Sequence, residues 1–330
     1  MTNRTVLVLV DPATSSEGVR SSVLELLTLG RSLGRVEAVT LEAPTVEALA
    51  QLGAYGVETV HQAELPPEQQ GDARHLPAVV GATLAAAVRL TDADVVLAPS
   101  TFATKEATAL AARDLGAGLV IDASGLAEDG EGGIVATKRV FAGAWDTTSR
   151  VLTDVAVATL RANAVVPEPA EAAVKTDVEG FAVTVDAPAV RVVERTATER
   201  TSDRPTLEEA ALVVAGGRGT DGDFGPVTEF ADALGAAVGA SRDAVFEGWF
   251  DRYIGQTGVT IAPRLYVGAG ISGAPHHRGG MQAAQVIVAV NSDPEAPIFE
   301  ICDFAVVGDL ATVLPQAAER IKAHKDAQAG

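Results

Sequence analysis

The stretch Ala211-Leu212-Val213-Val214-Ala215-Gly216-Gly217-Arg218-Gly219 opens the second half of the chain. An apolar, β-branched run that ends at once in glycines is the pattern of a buried strand running into a tight loop. Four more runs repeat it. Ala236 to Gly239 leads into Ala240-Ser241-Arg242, and Leu265 to Val267 into the loop Gly270-Ile271-Ser272-Gly273. Val286 to Val290 leads into Asn291-Ser292-Asp293, and Ala305 to Val307 into Gly308-Asp309. Strands that are apolar on both faces belong to a parallel sheet covered by helices, which makes this an α/β protein. In an open parallel sheet ligands bind beyond the carboxyl ends of the strands, so the loops are expected to line one edge as one site.

The first half has the same rhythm. Val6 to Val10, Val36 to Leu41, Val57 to Val60, Val95 to Ala98 and Gly118 to Ile121 read as strands, with helices at Ser22 to Leu33, Val46 to Leu52 and Lys105 to Leu115 and a loop at Asp11 to Gly18. From Ile134 to Val166 the alternation lengthens into β-type runs, continued by Phe181 to Val193, and these predict antiparallel strands completing the first domain. Residues 191–205, rich in Arg, Glu, Thr and Ser, read as a solvated linker. The expected domains are therefore 1–190 and 206–330, in keeping with roughly 150 residues per domain.

Composition excludes several function classes. With a net charge of −19 the chain lacks the positive surface that nucleic acid or an anionic membrane demands. No run approaches the ~18 apolar residues of a membrane span, and Met1 to Val10 enters a strand without a signal-peptide pattern, so a cytoplasmic location without direct membrane insertion is expected. Cys302 is the single cysteine; it cannot form an intrachain disulfide, and beside Ile301 and Phe304 it reads as a small buried core residue. Any redox chemistry must come from a cofactor.

Glycines at the predicted edge let backbone approach a ligand closely, and N–H groups at the starts of the following helices favour negative charge, a combination suited to a pyrophosphate. The polar residues there are Arg218, Ser241, Arg242, Gln256, Thr257, Ser272, His276, His277, Asn291 and Asp309. They are hydrogen-bonding groups without a nucleophile and base at recognisable spacing. Gly268-Ala269-Gly270-Ile271-Ser272-Gly273 matches the G-x-G-x-x-G of dinucleotide sites, with Asp293 about twenty residues on. That motif normally follows the first strand of its domain, however, and two strand candidates precede it here. Adjacent histidines without a cysteine or a spaced third histidine do not make a metal site.

The runs Gly216 to Gly219, Val238 to Arg242, Gly255-Gln256-Thr257-Gly258, Gly270 to Ala274 and Asn291-Ser292-Asp293-Pro294-Glu295-Ala296-Pro297-Ile298-Phe299 resemble, in order and spacing, the FAD domain of electron transfer flavoprotein alpha subunits. Weaker resemblance extends over the first domain through Pro99-Ser100-Thr101, Lys105-Glu106, Ile121-Asp122 and Phe141-Ala142-Gly143. It implies an N-terminal adenine-nucleotide-hydrolase-like parallel sheet with added antiparallel strands. By the same resemblance that domain would hold no nucleotide and would contact the beta subunit, and a C-terminal Rossmann-like parallel sheet would bind FAD.

By motif position the resemblance puts Arg242 over the flavin, Thr257 near N5 and His277 near O2. Ser241, Gln256 and Ser272 fall toward the pyrophosphate and Arg218, Asn291 and Asp309 toward the ribose and adenine, with Gly270 and Gly273 among the cofactor-binding residues. His276 occupies the slot of a pyrophosphate-contacting glutamine, because Pro275-His276 stands where the family usually has Ile-Gln. Taken singly, Arg218 reads equally as a surface charge, Ser241 as a helix N-cap, Asn291 as a turn residue and Asp309 as an N-cap before a helix Leu310 to Leu314. The implied function is a heterodimeric electron carrier. FAD would take electrons from acyl-CoA dehydrogenases or similar flavoenzymes and pass them to the electron transfer flavoprotein–quinone oxidoreductase, as in fatty acid β-oxidation. A bifurcating relative that uses NADH and holds a second FAD in beta, and a non-redox nucleotide-binding regulatory protein, remain alternatives.

Overall fold

The computed structural model describes residues 4–10, 18–141, 143–186, 190–196 and 204–329. Of the features expected above, residues 11–17 of the first loop, residues 197–203 of the linker and Ala142 lie outside these, as do residues 187–189 of the last β-type run of the first half. The chain divides into two compact units, one of residues 1–138 and 146–198 and one of residues 139–145 and 199–330.

In the first unit the elements alternate as the pattern requires: β1 (Thr5–Leu9), α1 (Ser21–Leu33), β2 (Arg35–Thr40), α2 (Val46–Ala54), β3 (Thr59–Glu64), α3 (Pro77–Thr91), β4 (Val95–Pro99), α4 (Phe102–Leu115) and β5 (Gly118–Ala123). Three strands follow as a small sheet, β6 (Gly125–Glu128), β7 (Ile134–Val140) and β8 (Trp145–Arg150), with β6 antiparallel to β7. Then come β9 (Ala156–Leu160) and β10 (Asp177–Ala182).

The large sheet has the order β10-β3-β2-β1-β4-β9-β5 and is parallel throughout. This corrects part of the sequence reading: β9 is not an antiparallel addition but a member of the parallel sheet, and so is β10, which shares Phe181 and Ala182 with the run expected to be antiparallel. All five residues of β9 are buried, as a strand held between β4 and β5 must be. Along β1, Val6 and Val8 pack with Val23, Leu26 and Leu27 of α1, whereas Leu7 and Leu9 pack with α3 and α4 through Val79, Leu84, Ala107 and Ala111. Alternate side chains thus feed two cores, one on each face. On β2 and β3 a polar pair is buried: His61 Nε2 lies 2.8 Å from Glu37 Oε2, and Arg35 pairs with the other carboxylate oxygen. His61 and then Arg35 hold the Glu37 carboxyl below its usual range, against the opposing effect of burial.

The second unit is β11 (Leu212–Gly216), α5 (Gly225–Leu234), β12 (Ala237–Ala240), α6 (Arg242–Phe246), β13 (Leu265–Ala269), α7 (Pro275–Met281), β14 (Val286–Asn291), β15 (Phe304–Val307) and α8 (Leu310–Ala329). Its five strands are parallel in the order β12-β11-β13-β14-β15. Val214, Val267 and Ala269 face α5 and α8, and Val213, Ala215 and Tyr266 face Ile254, Met281 and Ile298 on the other side. Cys302 is only partly buried at the margin of that second core, a correction to the expected buried position.

Candidate cofactor site

A parallel sheet ordered second-first-third-fourth-fifth reverses direction between its first and third strands, here β11 and β13, and the loops leaving that point diverge to open a crevice. The crevice is present: a cavity of about 540 Å³ beyond the carboxyl ends of the strands. That is within the size usual for small-molecule and cofactor sites.

The loops after β11 and β13 meet backbone to backbone at its base. Gly219 N–H donates to the Gly270 carbonyl at 3.0 Å, and Gly217 N–H to the Ala269 carbonyl at 2.9 Å. A methyl on Gly219 would stand 2.8 Å from Gly270 Cα, and Gly270, at φ +63°, offers no room in return. Glycine is required at both positions by space, and at Gly270 by conformation as well.

Nine of the sequence-predicted residues line this cavity: Arg218, Ser241, Arg242, Thr257, Gly270, Ser272, His276, His277 and Asn291. Each is placed by the start of a helix or a tight loop. Ser241 caps α6, its Oγ accepting from Ala244 N–H at 3.3 Å, so the N-cap reading is correct of the chain and compatible with a place on the wall. Arg242, the first residue of α6, extends its guanidinium over the exposed Phe246 ring at 5.6 Å. Arg218 Nε lies 3.3 Å from the Asp243 carboxylate, with both side chains largely exposed. Asn291 spans two loops, donating to the Ile271 carbonyl at 2.9 Å and accepting from Asp293 N–H at 3.0 Å.

Three predicted residues do not line the cavity. Gln256 is exposed and its Oε1 lies 3.4 Å from His276 Nδ1. Gly273, at φ +84°, packs against the Ile298 backbone. Asp309 caps α8, its Oδ1 accepting from Ala311 N–H at 3.0 Å.

The adjacent histidines differ sharply. Pro275 occupies the first turn of α7, where its missing N–H has no helical partner. His276 is exposed and His277 buried, since neighbours on a helix point about 100° apart. His277 Nε2 is 2.7 Å from the Tyr266 hydroxyl, and its buried Nδ1 has no hydrogen-bond partner. Burial pulls the imidazole down to about 4, against the opposing pull of the Ile254 carbonyl, so His277 is neutral at pH 7.

Sequence reading missed Tyr253, Trp249, Asp221, Asp243 and Asp293, all on the cavity wall. Tyr253 is the most telling, with its hydroxyl 3.1 Å from Thr257 Oγ1. Asp293 is flagged only by the G-x-G-x-x-G match and the Asn291 run; for Trp249 and Tyr253 the signal was nearness to Gly255-Gln256-Thr257, and no motif flags Asp221 or Asp243. Among the described residues no cluster of three or more His, Cys, Asp or Glu could hold a metal ion, and no helix is long and apolar enough to cross a membrane.

Residues 8–186 match the family described as the electron transfer flavoprotein domain, and residues 206–282 match the electron transfer flavoprotein FAD-binding domain. The chain belongs to the electron transfer flavoprotein alpha-subunit family. It is 42% identical to the electron transfer flavoprotein subunit alpha of Mycobacterium leprae, over 97% of this chain and 98% of that relative. To the subunit alpha of Bacillus subtilis it is 35% identical over 92% of this chain and 94% of the relative. A third relative, the subunit alpha of Paracoccus denitrificans, is 52% identical over 36% of this chain and 40% of its own length.

The cofactor of the alpha-subunit family's FAD-binding domain fits what this chain offers. Gly219 and Gly270 present bare backbone on the cavity wall, and Arg218 and Arg242 bring positive charge to the same cavity. In the first unit, the family-like segments around Ser100, Lys105 and Asp122 close on themselves. Lys105 Nζ is 2.7 Å and Ser100 Oγ 2.5 Å from the same Asp122 oxygen. That satisfied cluster is assigned no ligand.

Proposed function

We propose that this chain is the FAD-carrying alpha subunit of an electron carrier. It pairs with an electron transfer flavoprotein beta subunit, receives electrons from flavin dehydrogenases such as acyl-CoA dehydrogenases, and delivers them to a quinone oxidoreductase. The observation that carries this reading is the glycine-floored cavity at the β11/β13 switch point, inside the segment that matches the family's FAD-binding domain.

FAD, when bound, supplies the redox chemistry. The chain's residues bind it and bias its potential. Gly219 and Gly270, both on the cavity wall, give the pyrophosphate close backbone approach. Ser241 and Ser272 add hydroxyl donors, and His276 stands at the mouth where a phosphate contact is expected. Arg242 favours the reduced, more negative state, because a guanidinium beside a group gaining negative charge stabilises it. Thr257, backed by the Tyr253 hydroxyl, presents a hydroxyl for the flavin edge. His277, neutral and buried, acts as a hydrogen-bonding group rather than as a cation. The acidic Asp221, Asp243 and Asp293 on the same wall offset the arginines, so local charge is tuned rather than simply positive.

Coexpression with the partner beta subunit and measurement of the visible spectrum test the reading. About one FAD per alpha chain is expected from the family stoichiometry, reducible through an acyl-CoA dehydrogenase and its substrate. A full-length complex that purifies without flavin overturns it. Flavin at about two per complex together with reduction by NADH would instead assign the bifurcating variant.

A further inference from the structure

Among the described residues Tyr266 heads the largest fully buried side chains, yet it carries a hydroxyl. It stands on β13, within the apolar core formed with Ile254, Met281 and Ile298. A buried phenol is tolerated only when its O–H finds a partner, and this one has His277 Nε2 at 2.7 Å, with ring centroids 6.0 Å apart. Among the described residues the phenol oxygen has no second partner.

The proton count is closed. Burial holds the Tyr266 phenol far above the usual tyrosine range, so it keeps its proton and must donate it. The imidazole is neutral and has one N–H to place. Were that proton on Nε2, the phenol oxygen would be its acceptor at 2.7 Å, and the phenol's own proton would turn to a side where no acceptor stands among the described residues. With the phenol donating to Nε2, the ring proton belongs on Nδ1, the buried nitrogen that lacks a formed hydrogen bond. Consistent with this, the Ile254 carbonyl acts to favour a proton on the ring. Ile254 immediately precedes Gly255, Gln256 and Thr257.

We propose that Tyr266 is a positioning residue of the cofactor site, its hydroxyl donating to His277 Nε2 and so fixing the imidazole as the Nδ1–H tautomer beside the Ile254–Thr257 loop. The consequence for the cofactor rests on the FAD reading of the cavity; the tautomer does not. With Nε2 occupied from the core, the face His277 turns to the site is set by β13. The positive charge of the site is then left to Arg218 and Arg242.

The test is nitrogen NMR of the alpha–beta complex labelled with ¹⁵N-histidine. The His277 signals are identified by their loss in His277→Asn. A protonated Nδ1 and an unprotonated, hydrogen-bond-accepting Nε2 are expected at pH 7. An Nε2–H tautomer or an imidazolium in the wild-type complex overturns the proposal. In Tyr266→Phe, which keeps the ring and removes only the hydroxyl, His277 should become a mixture of tautomers, and the complex should lose FAD roughly fivefold faster, as expected for one hydrogen bond. An unchanged tautomer in Tyr266→Phe also overturns it. Because the NMR readout is independent of flavin, a complex that holds no FAD would sink the functional reading while the tautomer still decides the role of Tyr266.

Discussion

Arg242 and the two histidines of α7 are where single side chains bear most directly on the cofactor site. Arg242→Ala removes a cation that, at about 4 Å from a ring gaining one negative charge, is worth roughly 1 to 4 kcal/mol between watery and intermediate dielectric. The first reduction potential should therefore fall by roughly 40 to 170 mV, read by redox titration of the complex. An unchanged potential in a variant that still holds FAD would place Arg242 away from the flavin. The histidines should separate cleanly. His277→Ala should lower the potential, whereas His276→Gln should leave it nearly unchanged and alter FAD retention at most. Gly270→Ala tests the floor: φ +63° and the 2.8 Å approach of Gly219 Cα and Leu310 Cδ2 should make it destabilising by roughly 1 to 3 kcal/mol in urea unfolding, with weakened FAD retention.

Among the elements, α8 differs most from its sequence reading. Leu310 to Leu314 is only its first turn; the helix runs to Ala329 in spite of Pro315, burying Leu314 and Ala318 against α5 and β14. Pro315, the sixth residue, lies past the first turn and removes the hydrogen bond its N–H would have made to the Ala311 carbonyl. Asp309 starts the helix from outside the cavity lining, so Asp309→Ala should cost about 1 kcal/mol of stability, as lost N-caps do, and leave FAD content intact. A loss of FAD larger than the loss of stability would return Asp309 to the cofactor. β9 illustrates the opposite failure. Ala156-Val157-Ala158-Thr159-Leu160 was legible as a strand, but nothing local says that it pairs with β4 on one side and β5 on the other. Strand partners are set by which edges remain open when the chain returns, and only the assembled sheet records that.

For the whole molecule, acid should act on each unit through a different group. In the second unit, burial lowers His277 from 6.5 to about 4, so the unfolded chain binds the extra proton more readily. Stability from its neutral burial is complete above pH 6.5 and is lost as pH falls toward 4, amounting to roughly 3 kcal/mol at most. In the first unit Glu37 is lowered by His61 and Arg35; its contribution is present above the ordinary carboxylate value of 4.5 and disappears as pH falls through its depressed one. Urea midpoints between pH 7.5 and 4 should decline for the wild type, and His277→Asn should flatten that decline. An equal slope in the variant would show that His277 does not carry the proton uptake.

By itself the sequence determined the class of fold, the loops that converge and the cofactor chemistry they suit, because each is written locally. An apolar run makes a buried parallel strand, glycine admits backbone contact, and Gly-Gly-Arg-Gly, Ser-Arg, Gly-Gln-Thr-Gly and Gly-Ile-Ser-Gly all follow or flank such strands. The tertiary structure decided what depends on distant residues meeting. It inserted β9 into the parallel sheet, turned Asp309 and Gly273 away from the cavity, and brought Trp249, Tyr253 and three aspartates onto its wall. It also joined Tyr266 to His277, eleven residues apart. In the sequence that tyrosine is one more apolar residue of a strand. Its hydroxyl acquires a role only because packing buries it where a single imidazole nitrogen can satisfy it, and a buried polar group takes the partner that the fold supplies.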